Sequence, residues 1–484
     1  MKRRPLTDAL PMSRRQFLLT STAAAASVAL PWPLRALAKQ GEPGLREYQL
    51  KLGSAAVPLL GPDRKNVAVW AYNGQVPGPT LRVRQGERLR VVVENGLAES
   101  TTVHWHGIRV PNAQDGVPYL TQEPIAVDAR YVYEFECPDA GTFWYHPHQR
   151  SYEQVGRGLY GPLIVEERDP IRVDRDVTWV LDDWRIGRDG QISDSFGHPH
   201  DIAHGGQIGN LVTVNGTLMP AFPLRTGERV RLRLVNAANA RIFALSFADH
   251  TPTIIAYDGQ PVTPHAPADG RVVLGPAMRV DLILDDTGKP GGRYRVRDTF
   301  YRGLEYDLLE LAYDTRPLRE ELLSTPVQLP ANPLREPDLT AAERHEIRFQ
   351  GGMMGNLSGA TLNGRPMNMM QMMHSGKAWA VNGIVASGHV LDPVLILRRD
   401  RSYRLQLVND TAWPHPIHLH GHSFRVLSRN GRPTPHREWQ DTVLMSPEER
   451  VEIAFVADNP GDWMFHCHIL EHQLGGMMAV IRVA

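Results

Sequence analysis

Four short stretches of this chain concentrate groups that bind metal ions. His104-Trp105-His106-Gly107, His146-Pro147-His148, His418-Leu419-His420-Gly421 and His466-Cys467-His468 each carry two imidazoles two residues apart. On a β-strand, residues i and i+2 project from one face, so each pair aims both imidazoles the same way. The 484 residues include 20 histidines, for which chance gives about one His-x-His pair; the sequence contains six. A lone histidine is ordinarily a satisfied core or surface residue, but four pairs in register between repeats are not explained that way. The last stretch adds softer donors. His415 lies three residues before His418, Cys467 lies between the paired histidines, His472 follows five later, and Met477 five after that. Two imidazoles, a thiolate and a thioether form the ligand set of a blue-copper electron-transfer site. Zinc is the rival occupant, although a structural zinc site needs neither the methionine nor the neighbouring histidine cluster.

The elements that must position these residues are written three times. Asn73-Gly74, Asn215-Gly216 and Asn382-Gly383 each open a copy, and the copies close at Asn95, Asn236 and Asn409. Within each copy polar and apolar residues alternate with period two: Val230, Leu232 and Leu234 against Arg229, Arg231 and Arg233. That pattern predicts a half-buried antiparallel strand after a turn, and several such strands per module predict a β-sandwich. Nine residues after Asn95 comes His104, and nine after Asn409 comes His418; at the same spacing the middle copy has Leu245-Ser246-Phe247. The endings Gly141–His146 and Gly461–His466 also match, while the middle copy ends Gly292–Arg297. Modules one and three therefore keep two pairs each, and the middle module keeps none. Eight imidazoles from two facing modules would hold a cluster at their interface.

These residues resemble the multicopper oxidase family, which includes laccases, ascorbate oxidases and bacterial copper-efflux oxidases. The resemblance runs through all three modules and rests on His-Trp-His-Gly, Trp-Tyr-His-Pro-His, His-Pro-x-His-x-His-Gly and His-Cys-His-x3-His-x4-Met. It implies an all-β fold of three consecutive cupredoxin-like Greek-key sandwiches, at 39–167, 168–316 and 345–484, with a proline-rich linker at 317–344. It also implies four copper ions. His415, Cys467, His472 and Met477 would bind type 1 copper, and His104 and His418 type 2. His106, His146 and His468 would hold one type 3 copper, and His148, His420 and His466 the other. The activity implied is one-electron oxidation of a reductant, Cu(I) or a phenol or aromatic amine, coupled to four-electron reduction of dioxygen to water. A two-domain copper nitrite reductase fits less well, because this chain has three modules.

Protons must reach the oxygen site. Asp115 matches the acidic residue that family members place near type 2 copper, which implies a proton relay; an ordinary turn aspartate before Gly116 is the other reading. Bacterial relatives often carry a glutamate after the position of His472, where this chain has Gln473. An amide relays hydrogen bonds but does not titrate. Seven of the 15 methionines fall between Met353 and Met373, including Met367, Met369, Met370, Met372 and Met373. Soft thioethers suit Cu(I), yet methionines also fill irregular hydrophobic flaps, and both readings stand. The acidic and Met positions that copper-efflux oxidases use before the first type 1 histidine are here Thr411 and Trp413. His198-Pro199-His200 with His204 reads as a solvated loop or a labile metal site.

Whole-chain properties set the compartment and exclude some partners. Lys plus Arg and Asp plus Glu are 53 each, which favours neither nucleic acid nor an anionic membrane. Ser13-Arg14-Arg15-Gln16-Phe17-Leu18 followed by an apolar run resembles a Tat signal, with cleavage expected near Ala38 and delivery to the periplasm or another extracytoplasmic space. No later apolar stretch is long enough for a span, so an integral membrane protein is not expected. Of the two cysteines, Cys137 is left as a buried thiol. Two other functional classes compete with the enzyme: copper sequestration without turnover, and a copper-free scaffold of the kind used in cell division. The scaffold class loses the histidines that this chain retains.

Overall fold

The Asn-Gly steps that open the three repeats share one backbone conformation. Asn73, Gly74, Asn215, Gly216, Asn382 and Gly383 all have positive φ, between 49° and 74°. Two successive left-handed residues match the right-handed twist of a hairpin, and Asn and Gly tolerate them best. The computed structural model describes residues 39–40 and 44–484, apart from Asp286, Asn356, Ser358 and Val390. The Tat-like segment and its expected cleavage site lie outside the described residues.

Each repeat grows into two stacked sheets. The first has a five-stranded sheet containing Leu45–Val57, Arg88–Asn95 and Arg130–Glu136, and a four-stranded sheet ordered Leu81–Arg84, Gly161–Glu166, Gly141–His146, His104–His106. Leu50, Val91, Val93, Trp105, Tyr133, Phe143 and Leu163 fill the space between them. The middle repeat stacks a six-stranded sheet on a five-stranded one, and the third stacks a ten-stranded sheet on a five-stranded one. The fold is all-β, with three cupredoxin-like sandwiches in succession.

One expectation fails. The strand Arg229–Asn236 is buried along its whole length, and it is not antiparallel on both sides. It runs parallel to Arg175–Trp184 and antiparallel to Arg279–Asp285. The alternation is real, but the arginine face is turned into the protein. Arg231 pairs with Asp281 and Glu167 at 2.7 and 2.8 Å; Arg233 pairs with Asp176 and Asp281 and donates to the Thr142 hydroxyl of the first repeat. A buried cation is tolerated when carboxylates and hydrogen bonds replace its water.

Between the second and third repeats, residues 317–342 form neither helix nor strand. They are tied down all the same. Leu329 is buried against Ile255, Ala256 and Ile283, and the Asn332 amide brackets Ala140, accepting from its N–H and donating to its carbonyl, both at 2.8 Å.

Candidate metal centre

Strand register brings the histidine pairs together. In the first sandwich His104 lies directly opposite His146, and in the third His418 lies opposite His466. The two histidine faces then meet. His104 of one sandwich stacks on His420 of the other with centroids 4.0 Å apart, and His106 stacks on His418 at 3.8 Å. His104, His106, His146, His148, His418, His420, His466 and His468 are all buried. The glycines closing two of the motifs have positive φ, +86° at Gly107 and +67° at Gly421, and a Cβ at Gly107 would collide with Arg279 and Asp441.

The imidazole nitrogens converge. His420 Nε2 is 3.1 Å and His148 Nε2 3.5 Å from His466 Nε2, and these three residues can present ligand atoms within 4.8 Å of one another. His146 and His468 approach Nε2 to Nε2 at 3.4 Å. His106 does not close a triple with them; its ring centroid stands 5.0 Å from that of His468. His104 and His418 group with His420. His104 Nε2, His418 Nε2 and His106 Nδ1 are buried without a hydrogen-bond partner. Burial first, and then repulsion among neighbouring imidazoles, hold His106, His146, His148, His420, His466 and His468 well below the ordinary histidine range. Neutral rings with unpartnered lone pairs are what a cation site requires. Asp115 lies inside this arrangement, with Oδ2 2.9 Å from His420 Nδ1, while its own carbonyl accepts from His104 Nδ1 at 2.8 Å. It also ends a tight turn, its N–H donating to the Asn112 carbonyl. Gln473 points its Nε2 at His148 Nε2, 3.4 Å away, and accepts from the Ser151 hydroxyl.

A second cluster lies on the far side of Cys467. Cys467 Sγ is 3.4 Å from His415 Nδ1 and 3.6 Å from His472 Nδ1, and the two Nδ1 atoms are 3.0 Å apart. Both outer nitrogens are engaged: His415 Nε2 lies 2.8 Å from the Thr411 hydroxyl, and His472 Nε2 donates to the His204 carbonyl at 2.6 Å. Tying the outer nitrogen fixes ring orientation and leaves Nδ1 facing inward. Met477 is fully buried, and its carbonyl accepts from the Cys467 N–H. Burial lowers His472 to about 3, with the His204 carbonyl opposing, and burial raises the Cys467 thiol. Glu471 clamps the loop that carries His204, accepting from Gln207 N–H at 3.0 Å and from the Asn239 amide at 3.2 Å.

The remaining sequence candidates scatter. Met369–His374 is a short helix whose Asn368 and Gln371 form a capping box. Met372 is buried and Met373 packs against the core, whereas Met370 is 71% exposed. Pro199–Ala203 is a helical turn with His200 and His204 stacked at 4.1 Å. The sequence singled out Thr411 only as a departure from the copper-efflux oxidases, without its contact to His415; the His204 carbonyl and His389, whose ring stands 5.5 Å from that of His148, were missed. A backbone carbonyl leaves no residue-type signal. Cys137 is buried and unpaired, as expected.

The comparisons agree with this geometry. Profiles described as multicopper oxidase match residues 58–170, 175–312 and 362–484, and a Tat signal profile matches residues 11–31. Multicopper oxidase MmcO of Mycobacterium tuberculosis is 31% identical, over 87% of this chain and 84% of its own. Copper resistance protein A of Escherichia coli is 25% identical, over 98% and 99%. The crystal structure of a multi-copper oxidase from Pseudomonas thermotolerans is 36% identical, covers 91% of this chain and 99% of its own, and superposes with a TM-score of 0.79. The Tat signal directs the chain out of the cytoplasm, and no helix among the described residues is long and apolar enough to cross a membrane. Facing histidine strands, a cysteine with two histidines beside them and matches across all three sandwiches lead to one conclusion: the chain belongs to the multicopper oxidase family, as a copper-dependent oxidoreductase with dioxygen as electron acceptor.

Proposed function

We propose that the chain holds four copper ions and oxidises Cu(I), in a periplasm-like compartment after cleavage near Ala38. The proposed domains are 39–167, 168–316 and 345–484, joined by 317–344. His415, Cys467, His472 and Met477 would hold type 1 copper, and His104 and His418 type 2. His106, His146 and His468 would hold one type 3 ion, and His148, His420 and His466 the other. Bound copper supplies the one-electron redox chemistry and the reduction of dioxygen to water. The chain fixes ligand geometry, excludes water and delivers protons. The observation that carries this reading is the convergence of unpartnered imidazole nitrogens from two sandwiches beside the Cys467 thiol.

Asp115 is the proposed proton relay, because its carboxylate touches His420 and its turn holds His104. Gln473 would pass hydrogen bonds between Ser151 and the His148 side of the cluster. Cu(I) is favoured over a phenol because His472 is fully buried and its outer nitrogen is already bonded to His204. That leaves no imidazole edge for a hydroxyl to grip, while Met370, Met353 and Met354 are exposed residues that carry thioethers. The deciding experiment measures copper content, blue absorption and oxygen uptake with Cu(I), then replaces Met353, Met354, Met367, Met369, Met370, Met372 and Met373 by Leu. Cu(I) oxidation should fall while phenol oxidation holds. Equal Cu(I) rates would sink the cuprous reading, and copper loading without oxygen uptake would indicate a store instead of an enzyme.

A further inference from the structure

The middle sandwich has no histidine pair at the strand positions that carry them in the outer two, yet one of its side chains reaches the cluster. Arg279, on the strand Arg279–Asp285, is fully buried. All five of its N–H donors are used. Nε donates to the Thr142 carbonyl, Nη1 to the Ala277 carbonyl and Asp441 Oδ1, and Nη2 to the Asp258 carbonyl and Asp441 Oδ2. The two bonds to Asp441 measure 2.8 and 2.5 Å and form a bidentate fork. Asp258 holds the same segment from behind, its Oδ2 accepting from the N–H groups of Asp441 and Thr442.

Beyond Asp441 the chain of bonds becomes directional. The Thr442 hydroxyl lies 2.8 Å from Asp441 Oδ1, 3.1 Å from His106 Nε2 and 3.1 Å from His418 Nδ1. A hydroxyl has one proton and two lone pairs. A carboxylate gripped by Arg279 only accepts, so the proton of Thr442 goes to Asp441. Both lone pairs are then left to accept from ring N–H groups, one on each histidine. His106 must carry its proton on Nε2 and His418 on Nδ1. The carbonyl of Asp441 adds a second acceptor for His418 Nδ1 at 2.8 Å. The nitrogens left bare are His106 Nδ1 and His418 Nε2, the same two that are buried without partners.

We propose that Arg279, acting through Asp441 and Thr442, is a positioning residue that sets the tautomers of His106 and His418. The copper-free sandwich thereby orients one type 3 ligand and one type 2 ligand together. The inference rests on the multicopper reading of the cluster and adds to it a role for a third domain.

The test compares the copper-loaded protein with Thr442→Val, which removes the hydroxyl at similar volume, and Thr442→Ser, which restores it. Type 2 Cu(II) affinity is read by chelator competition and by the type 2 paramagnetic resonance signal, with the blue type 1 band as internal reference. Thr442→Val should weaken type 2 copper by about 10- to 100-fold and leave the blue band unchanged, while Thr442→Ser stays within about twofold of wild type. Arg279→Lys, which keeps the charge and loses the fork, should weaken type 2 copper in the same direction. Wild-type affinity in Thr442→Val would overturn the inference alone, as would equal loss of the blue band. A wild-type chain that takes up no type 2 copper would overturn it together with the reading beneath it.

Discussion

The outer sandwiches and the middle one share turns, strands and stacking, and differ in what one strand position carries. In the outer pair that position holds His104 and His106, or His418 and His420, facing a partner domain. In the middle it holds Leu245 and Phe247, buried in that domain's own core. The middle sandwich contributes to its neighbours by other means: Arg233 bonded to Thr142, Arg279 bonded to Asp441, and a backbone carbonyl at His204. The comparison teaches that a strand face does not dictate its use. What packs against it does.

The sharpest break in the comparison comes from Cys467, whose counterpart in the first sandwich is Pro147. Cys467→Ser should abolish the blue band and lower oxygen uptake below detection, while copper bound by the cluster histidines persists; a retained blue band would refute the type 1 assignment. Writing an outer-type residue into the middle sandwich should fail differently. Leu245→His should cost about 3 kcal/mol, because it buries a polar ring in an apolar core, and should add no copper; urea denaturation and metal analysis check both. A third test concerns the interface of the first and middle sandwiches. Burial pushes Asp182 well above the ordinary carboxylate range, against the opposing hydrogen bond from Tyr160. A raised folded value means that the stability it contributes is complete below the unfolded value and is lost as pH rises through the folded one. Asp182→Asn copies the protonated acid, so its melting temperature should gain on wild type with rising pH; parallel profiles would refute this. The smallest effect is expected at Gln473. Gln473→Glu should raise oxygen turnover by a factor of about 2 to 10 by adding a titrating group beside His148, and an unchanged or lower rate would count against a proton-relay position there.

Much of this was legible in the residues. Period-two spacing and repetition identified the strands, and the aligned histidine pairs pointed to the two sandwiches whose imidazoles converge. The arginine face was misread because alternation says where a side chain points but not whether water lies there. Arg231 and Arg233 face carboxylates supplied from distant segments, and no local pattern announces that. Thr411 and Thr442 are common residues whose importance depends on what lies within 3 Å of their hydroxyls. The His204 carbonyl has no side-chain signature at all. Ligands carry rare chemistry and stand out, whereas the groups that orient ligands are ordinary and become visible only in the fold.

The strand Gly461–Cys467 carries His466 and Cys467 in adjacent positions, paired with His418 and Ile417. A slip of one residue in a β-ladder turns every side chain to the opposite face. In this strand such a slip would point the thiol at the cluster and both flanking imidazoles away from it. Both metal sites would then be lost in the same event. On the proposed assignment, a chain misregistered in this strand would hold neither the type 1 site nor the cluster, so a register error is not expected to spare one and lose the other.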